Sequence, residues 1–200
     1  MRVKTEEKRQ EIMDCASRLF LEQGYDAVSM SEISKLLGGS KATLYGYFDS
    51  KTEIFMAVIM AKARKLSERA RGVLDKNLAL PEKLRQYAVE YLAFVLSTEM
   101  VDMKRAVYAQ AHKDGIGKHV YECGIKQAWT RVADLLEQGM KDGIVKKSDP
   151  WMAAQQLKGL LEADVVARRL LGVDTRLNKK ALPAHVDLAL DVFWAYYKKA

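Results

Sequence analysis

An all-α chain, with a small N-terminal three-helix module and a larger helical domain behind it, is predicted by three observations. Apolar residues recur at helical spacing along nearly the whole length, no segment alternates as a half-buried strand would, and only three prolines, at 81, 150 and 183, punctuate 200 residues. With 49% hydrophobic side chains the chain is large enough for one good core or for a small module joined to a larger one. Residues 1–50 form the first module, a fourth helix over 51–71 links the two, and 51–200 form the second, with about nine helices in all.

The first helix starts after Thr5, an N-cap followed by Glu6 and Glu7, and runs to about Gln23 before Gly24 ends it. Ile12, Cys15, Ala16, Leu19 and Phe20 make its apolar stripe. Ser29 followed by Glu32 has the spacing of a capping box and opens a second helix, with Ile33, Leu36 and Leu37 facing inward, that stops at Gly38-Gly39. Ser40 caps a very short third helix, Lys41 to about Tyr47, and Ser50 with Glu53 repeats the box for the fourth. Helices of about two turns are not stable alone, so the second and third must be held by their neighbours. Pro81 sits in the first turn of a fifth helix carrying Leu84, Tyr87, Ala88, Tyr91, Leu92 and Val95. A short helix in "EMVDMKRAVYAQAHK" and a long one in "GKHVYECGIKQAWTRVADLLEQGMKDG" follow. Asp149 or Ser148 caps the next, with Pro150 at its first position, and "LPAHVDLALDVFWAYYKK" supplies the last.

A helix, a tight turn and a short second helix make the arrangement that offers one helix to a DNA major groove while the other crosses the backbone. A groove reader needs small or polar residues near its N-terminus and hydroxyls or cations at its edges to grip phosphates. Lys41, Ala42 and Thr43 meet the first need; Tyr45, Tyr47, Ser40 and Lys51 meet the second. Leu44 and Phe48, four apart, are the expected buried feet, with Leu36, Leu37 and Phe20 beneath them. The same polar residues would also suit an ordinary solvated surface. Lys4, with Arg2, Lys8 and Arg9, flanks the start of the first helix and is placed for backbone contact, and the net charge of +7 permits an anionic partner.

The run "IMDCASRLFLEQGYDAVSMSEISKLLGGSKATLYGYFDSKTEIF" resembles the N-terminal DNA-binding module of the tetracycline-repressor-like (TetR/AcrR) transcriptional regulators. Ala16, Leu19, Phe20, Gly24, Ile33, Ser40, Thr43, Leu44, Tyr45, Tyr47, Phe48 and Lys51 carry the likeness in order. It implies that Lys41 and Ala42 sit where family members read bases, that Thr43 and Tyr45 lie at the groove, and that Tyr45 reaches base or phosphate. It further implies Tyr47 and Lys51 on phosphates, and Ser29 and Ser31 near the DNA backbone. The chain departs from the pattern at Ser34, where alanine is usual, and at Gly39, where an aliphatic residue is usual. Gly39 removes a packing side chain and is expected to loosen the seating of the third helix.

For the rest of the chain the resemblance implies a homodimer formed by the last two long helices, an effector pocket in each larger domain, and a ligand-responsive regulator, most simply a repressor, released from a palindromic operator. The dimer candidates are Leu160, Asp164, Val165, Val186, Leu190, Phe193 and Tyr197, with Leu188, Val192 and Tyr196 on a second face of the last helix. Tyr87, Tyr91, Phe94, Met103, Tyr108, His112, Trp129, Leu157 and Leu161 are the pocket candidates, and suit a plain helical core equally well.

Other classes find less support. His112, His119, Glu122 and Cys123 lack a secure fourth ligand, so no metal site is assigned and no cofactor is expected. No nucleophile constellation, phosphate-cradling glycine motif or spaced carboxylate pair points to an enzyme. A helical protein-interaction module without sequence-specific DNA binding is the alternative. Two cysteines give no disulfide framework, and there is no apolar leader or run of about 20 residues to span a bilayer, so the cytoplasm is the expected compartment.

Overall fold

The computed structural model describes residues 5–173 and 181–199. Among them are twelve α-helices and one π-helical segment, with no strand beyond an isolated antiparallel bridge between Val145 and Lys198. The N-terminal helices are α1 (Glu6–Gln23), α2 (Met30–Leu36), α3 (Lys41–Tyr47) and α4 (Lys51–Leu66). Next come α5 (Glu68–Leu74), α6 (Leu80–Val95), α7 (Thr98–Gln110) and α8 (Ile116–Val120). The π segment Tyr121–Lys126 leads into α9 (Gln127–Lys141), followed by α10 (Pro150–Glu162), α11 (Val165–Leu171) and α12 (Ala181–Tyr197).

The start signals act as their chemistry dictates. Thr5 accepts from the Lys8 amide, Ser29 and Glu32 satisfy each other in a complete capping box, and Ser40 accepts from the Thr43 amide. Ser50 accepts from the Glu53 amide while Glu53 accepts from the Asp49 amide. At α10 the cap is Asp149, whose carboxylate takes the Met152 amide at 2.6 Å.

The count rises from nine to twelve because three expected helices are each broken once. The fourth stops at Leu66: Ser67 and Arg71 both donate to the Arg64 carbonyl, which thereby leaves the helical ladder. The long "GKHVYECGIKQAW" stretch passes through the π segment, and the helix from Pro150 breaks where Ala163 leaves helical geometry at ψ 126° and Asp164 adopts φ 57°.

The contacts form two compact units, and the first division falls within the helix expected to link them, between Ala63 and Arg64. One takes the chain through Ala63 together with Ala106–Val120; the other takes Arg64–Arg105 and the chain from Tyr121 onward. The continuous helix α7 therefore gives its first eight residues to one unit and its last five to the other. The first unit's core gathers Ile12, Cys15, Ala16, Leu19, Ile33, Leu44, Phe48 and Ile54. Leu36, expected inward, is 53% exposed, and Ser34 takes the buried place on that turn of α2. The second unit's core is built by α6, α9, α10 and α12 around Leu84, Leu92, Trp129, Leu136, Leu157 and Phe193.

This second core corrects the expected dimer face. Val186, Leu190, Phe193 and Tyr197 are buried inside the protomer, so the face of α12 left to solvent is the other one, Leu188, Val192 and Tyr196. A helix apolar on two sides must bury one of them at home, and the i, i+4, i+7, i+11 row met α6 and α10. Leu160 and Val165 are partly buried and Asp164 is exposed, paired with Arg168 at 3.4 Å.

Candidate nucleic-acid interface

A seven-residue helix must be fastened from outside, and α3 is fastened at both ends and from beneath. Leu44 (2% exposed) and Phe48 (1%) are its feet in the first unit's core, and the Arg9 guanidinium lies 5.0 Å from the centre of the Phe48 ring. At its C-terminal end the Tyr47 hydroxyl accepts from the Thr5 amide at 3.0 Å, which ties the last turn of α3 to the start of α1. At its N-terminal end Ser40 caps the helix and its Oγ also bonds the Thr43 hydroxyl at 3.0 Å.

The preceding turn joins the two departures from the family pattern. Gly38 adopts φ 64°, a conformation that suits glycine, and the buried Ser34 hydroxyl donates to the Gly39 carbonyl at 3.0 Å. A hydroxyl thus holds a turn from which an aliphatic side chain is missing.

With the feet buried, the outward face of α3 carries Lys41, Ala42 and the half-exposed Tyr45 (50%), while Thr43 and Tyr47 are partly exposed. Ser31 is exposed on the first turn of α2. The Ser29 hydroxyl donates to Glu32 Oε2 at 2.7 Å and accepts the Glu32 amide, so it is occupied by the capping box. That bond to Ser29 holds the Glu32 carboxyl below its ordinary range. Lys4 lies outside the described residues.

Lys51, expected on phosphate, is turned onto its own unit. Its ammonium donates to the Tyr25 carbonyl at 2.8 Å and the Asp26 carbonyl at 3.4 Å and lies 4.3 Å from the centre of the Tyr25 ring. The loop between α1 and α2 is braced from a second side as well. Asp26 pairs with Lys113 at 2.7 Å, the Tyr25 hydroxyl bonds Thr52 at 2.8 Å, and Thr52 donates to Asp114 at 3.1 Å. Asp114 itself sits at φ 45°. No local signal marks these partners, because they stand 62 and 87 residues apart in sequence.

The expected effector residues divide between the units. Tyr87, Tyr91, Trp129, Leu157 and Leu161 are buried together, with Tyr87 stacked on Tyr91 at 5.8 Å and Trp129 edge-on to Tyr91 at 5.0 Å. Phe94 packs against them half-buried, and Met103 is buried. Tyr108 (57% exposed) and His112 fall in Ala106–Val120, within the first unit. A polar centre that sequence reasoning missed lies beside Tyr91, whose hydroxyl donates to Glu162 at 2.5 Å while Lys158 pairs with the same carboxylate at 2.7 Å. Burial pushes the Tyr87 and Tyr91 phenols above their ordinary range.

No helix among the described residues is long and apolar enough to cross a membrane. The profile of bacterial regulatory proteins of the tetR family matches residues 12–58, and that of the AefR-like transcriptional repressor C-terminal domain matches residues 82–199. Over 94 residues the chain is 31% identical to the transcriptional activator FasR of Mycolicibacterium smegmatis, a match covering 47% of this chain and 43% of that protein. Its fold is similar, with a TM-score of 0.83 at 26% identity, to a TetR-family regulator from Mesorhizobium loti, over 98% of this chain and 100% of the other. It is also similar to the flavonoid-responsive regulator FrrA, with a TM-score of 0.82 at 28% identity over 97% and 98% of the two chains. A three-helix reader matched by one profile and a helical domain matched over more than half the chain by the other make this protein a member of the TetR family of DNA-binding transcriptional regulators.

Proposed function

We propose that this regulator binds a palindromic operator as a homodimer, reading bases through α3, and is released by a small-molecule effector taken up in the larger unit. The observation that carries the reading is the orientation of α3: with Leu44 and Phe48 buried, Lys41, Ala42 and Tyr45 are left outward. Lys41 donates to guanine acceptors, Ala42 and the Thr43 methyl meet thymine methyls, and Tyr45 reaches base or phosphate. Ser31 and Tyr47 serve phosphates, Ser29 and Ser40 order the helix starts beside them, and Lys51 braces the loop behind.

The exposed face of α10 and α12, with Met152, Leu188, Val192 and Tyr196 each more than half exposed, supports a two-fold partner there. The AefR-like repressor profile supports repression. Buried aromatic rings around Tyr91, together with the likeness to a flavonoid-responsive regulator, support an aromatic effector. Because α7 belongs to both units, a displacement of its first half by an effector is carried along the same helix to the residues that hold Tyr25, Asp26 and Thr52.

Selection of bound fragments from random duplex DNA by the purified protein tests the reading. A recovered inverted repeat, bound by two chains, is the expected result. Recovery of fragments without a common sequence, or binding by one chain per site, overturns it.

A further inference from the structure

We propose that α10 and α11 form a two-state element: the observed bent form, strapped across the larger unit, and a straight form in which the two join as one helix and let go of α7. That an effector draws on this change rests on the reading given above; the two states themselves do not.

Nothing in "LLEADVVARRLL" calls for a break, since no glycine or proline stands between Gly159 and Gly172. The backbone breaks there all the same, and at a cost. Asp164 takes φ 57° and ψ −48°, outside the left-handed helical basin that Asp tolerates, and the Val165 amide closes back on the Ala163 carbonyl at 2.6 Å. These are the marks of the γ-turn whose central residue is strained. No side-chain cap closes the start of α11, and none of its side chains is buried. A strained junction of this kind persists only where its surroundings over-determine it.

The surroundings do so through carbonyls. His185 of α12 donates through Nε2 to the Leu161 carbonyl at 3.0 Å, the acceptor that a continuous helix would give to the Val165 amide. At the other end of α11, the Arg105 guanidinium of α7 donates to the Leu170 and Arg169 carbonyls at 2.9 and 3.2 Å. Arg169 donates in turn to the Leu96 carbonyl at 3.2 Å and the Thr98 hydroxyl at 3.1 Å. Glu162, the last residue of α10, is held by the Tyr91 hydroxyl of α6 at 2.5 Å, so α11 is the part free to swing. The bent form thus sets these clasps against a strained turn and an interrupted helical ladder, and the straight form reverses the exchange. Straightening lifts the half-buried Val165 and Val166 from the core, and an apolar effector that takes their place favours the straight form. It also frees Arg105, which stands on the part of α7 that belongs to the larger unit.

Backbone resonances of the full chain read the junction, because the 13Cα and 13Cβ shifts of Ala163 differ between helical and non-helical backbone. Asp164 is exposed, and Asp164→Gly and Asp164→Ala both lose its pair with Arg168, so the two variants differ in backbone preference alone. Glycine reaches φ 57° freely and holds the bend, whereas alanine favours the helix. The straight-to-bent ratio is therefore expected to be about fivefold higher in Asp164→Ala, on helix propensity alone. Adding His185→Leu frees the Leu161 carbonyl and should carry the Ala163 shifts further towards helical values; His185→Gln, which can still donate, should not. Non-helical shifts that stay the same in all these variants, or helical shifts in Asp164→Gly, overturn the switch. Binding to the selected operator, measured without effector, reads the release of α7. Asp164→Ala should bind up to about fivefold more weakly than Asp164→Gly, and equal binding despite moved shifts overturns the link to α7. The shifts are read with neither ligand nor DNA, so failure of the switch shows apart from failure of the effector reading, which would leave the shifts moving and no small molecule changing operator binding.

Discussion

The turn before α3 offers the sharpest quantitative test, because two substitutions there should act in opposite directions. Ser34 is buried and its hydroxyl donates to the Gly39 carbonyl at 3.0 Å. Ser34→Ala removes that bond, but Gly39 is exposed, so its carbonyl turns to water instead of being left unsatisfied. The loss is therefore the net value of one hydrogen bond, about 0.5–1.5 kcal/mol, and not the larger penalty of an orphaned group. A Cβ built on Gly39 meets nothing within 4 Å and the residue has no positive φ, so Gly39→Ala costs no strain. It stabilises the turn by about 0.4–1 kcal/mol, through the unfolded chain. Native-state hydrogen exchange of the α3 amides reads both effects locally. Protection should fall about 2- to 12-fold in Ser34→Ala and rise about 2- to 5-fold in Gly39→Ala, by conversion of those energies. The double variant should lie near the parent, because the new methyl touches neither Ser34 nor its bond. Loss of protection in Gly39→Ala, or none in Ser34→Ala, would refute the view that a buried hydroxyl offsets the missing side chain.

Lys41→Ala should cost about 1–3 kcal/mol on the operator and far less on random duplex, measured by fluorescence anisotropy at one salt concentration, since a base contact discriminates and a phosphate contact does not. The hydrogen bond and charge of Lys113 hold the Asp26 carboxyl below its ordinary range. The stabilisation it gives is thus fully present above the ordinary carboxylate pKa and is lost as pH falls through the lower folded value, and Asp26→Asn should remove that acid dependence from amide exchange in the loop between α1 and α2. Thr52→Val breaks both bonds of Thr52 and leaves the buried Tyr25 hydroxyl without its partner, for a loss of about 1–3 kcal/mol that Thr52→Ser should not show in the exchange of the Ile116 amide.

What could be read in advance was whatever chemistry is local. The boxes at Ser29 and Glu32 and at Ser50 and Glu53, the feet Leu44 and Phe48, and the prolines at 81 and 150 act within one or two helical turns, and a linear pattern displays them. The breaks at Ser67 and at Ala163 and Asp164 show no comparable mark, for no proline or paired glycine stands there. Periodicity also reports that a face is apolar without saying what covers it. Leu36 looked inward and is exposed, and on α12 the row containing Phe193 went into the protomer while Val192 and Tyr196 stayed out. Lys51 belongs to the same class of error: a cation beside a reader helix fits a phosphate or a carbonyl, and only the folded loop brings the Tyr25 carbonyl within 2.8 Å.

The fastening of the reader explains why those long-range partners matter. Helices α2 and α3, of seven residues each, gain too little from their own hydrogen bonds to persist, so their position is set by what holds them. Some of that hold is internal to residues 1–63: Leu44 and Phe48 beneath, Thr5 on Tyr47, Ser34 on Gly39, and Lys51 on the loop between α1 and α2. The remainder comes from Lys113 and Asp114, just beyond the end of α7, which grip Asp26 and Thr52. Under the proposed reading of bases by α3, the surface must keep its geometry to within a hydrogen bond's tolerance, so loosening this grip would act on recognition without any change on α3 itself. Under the proposed release by an effector, the link to follow is α7 itself, eight of whose residues belong to the larger unit and five to the smaller.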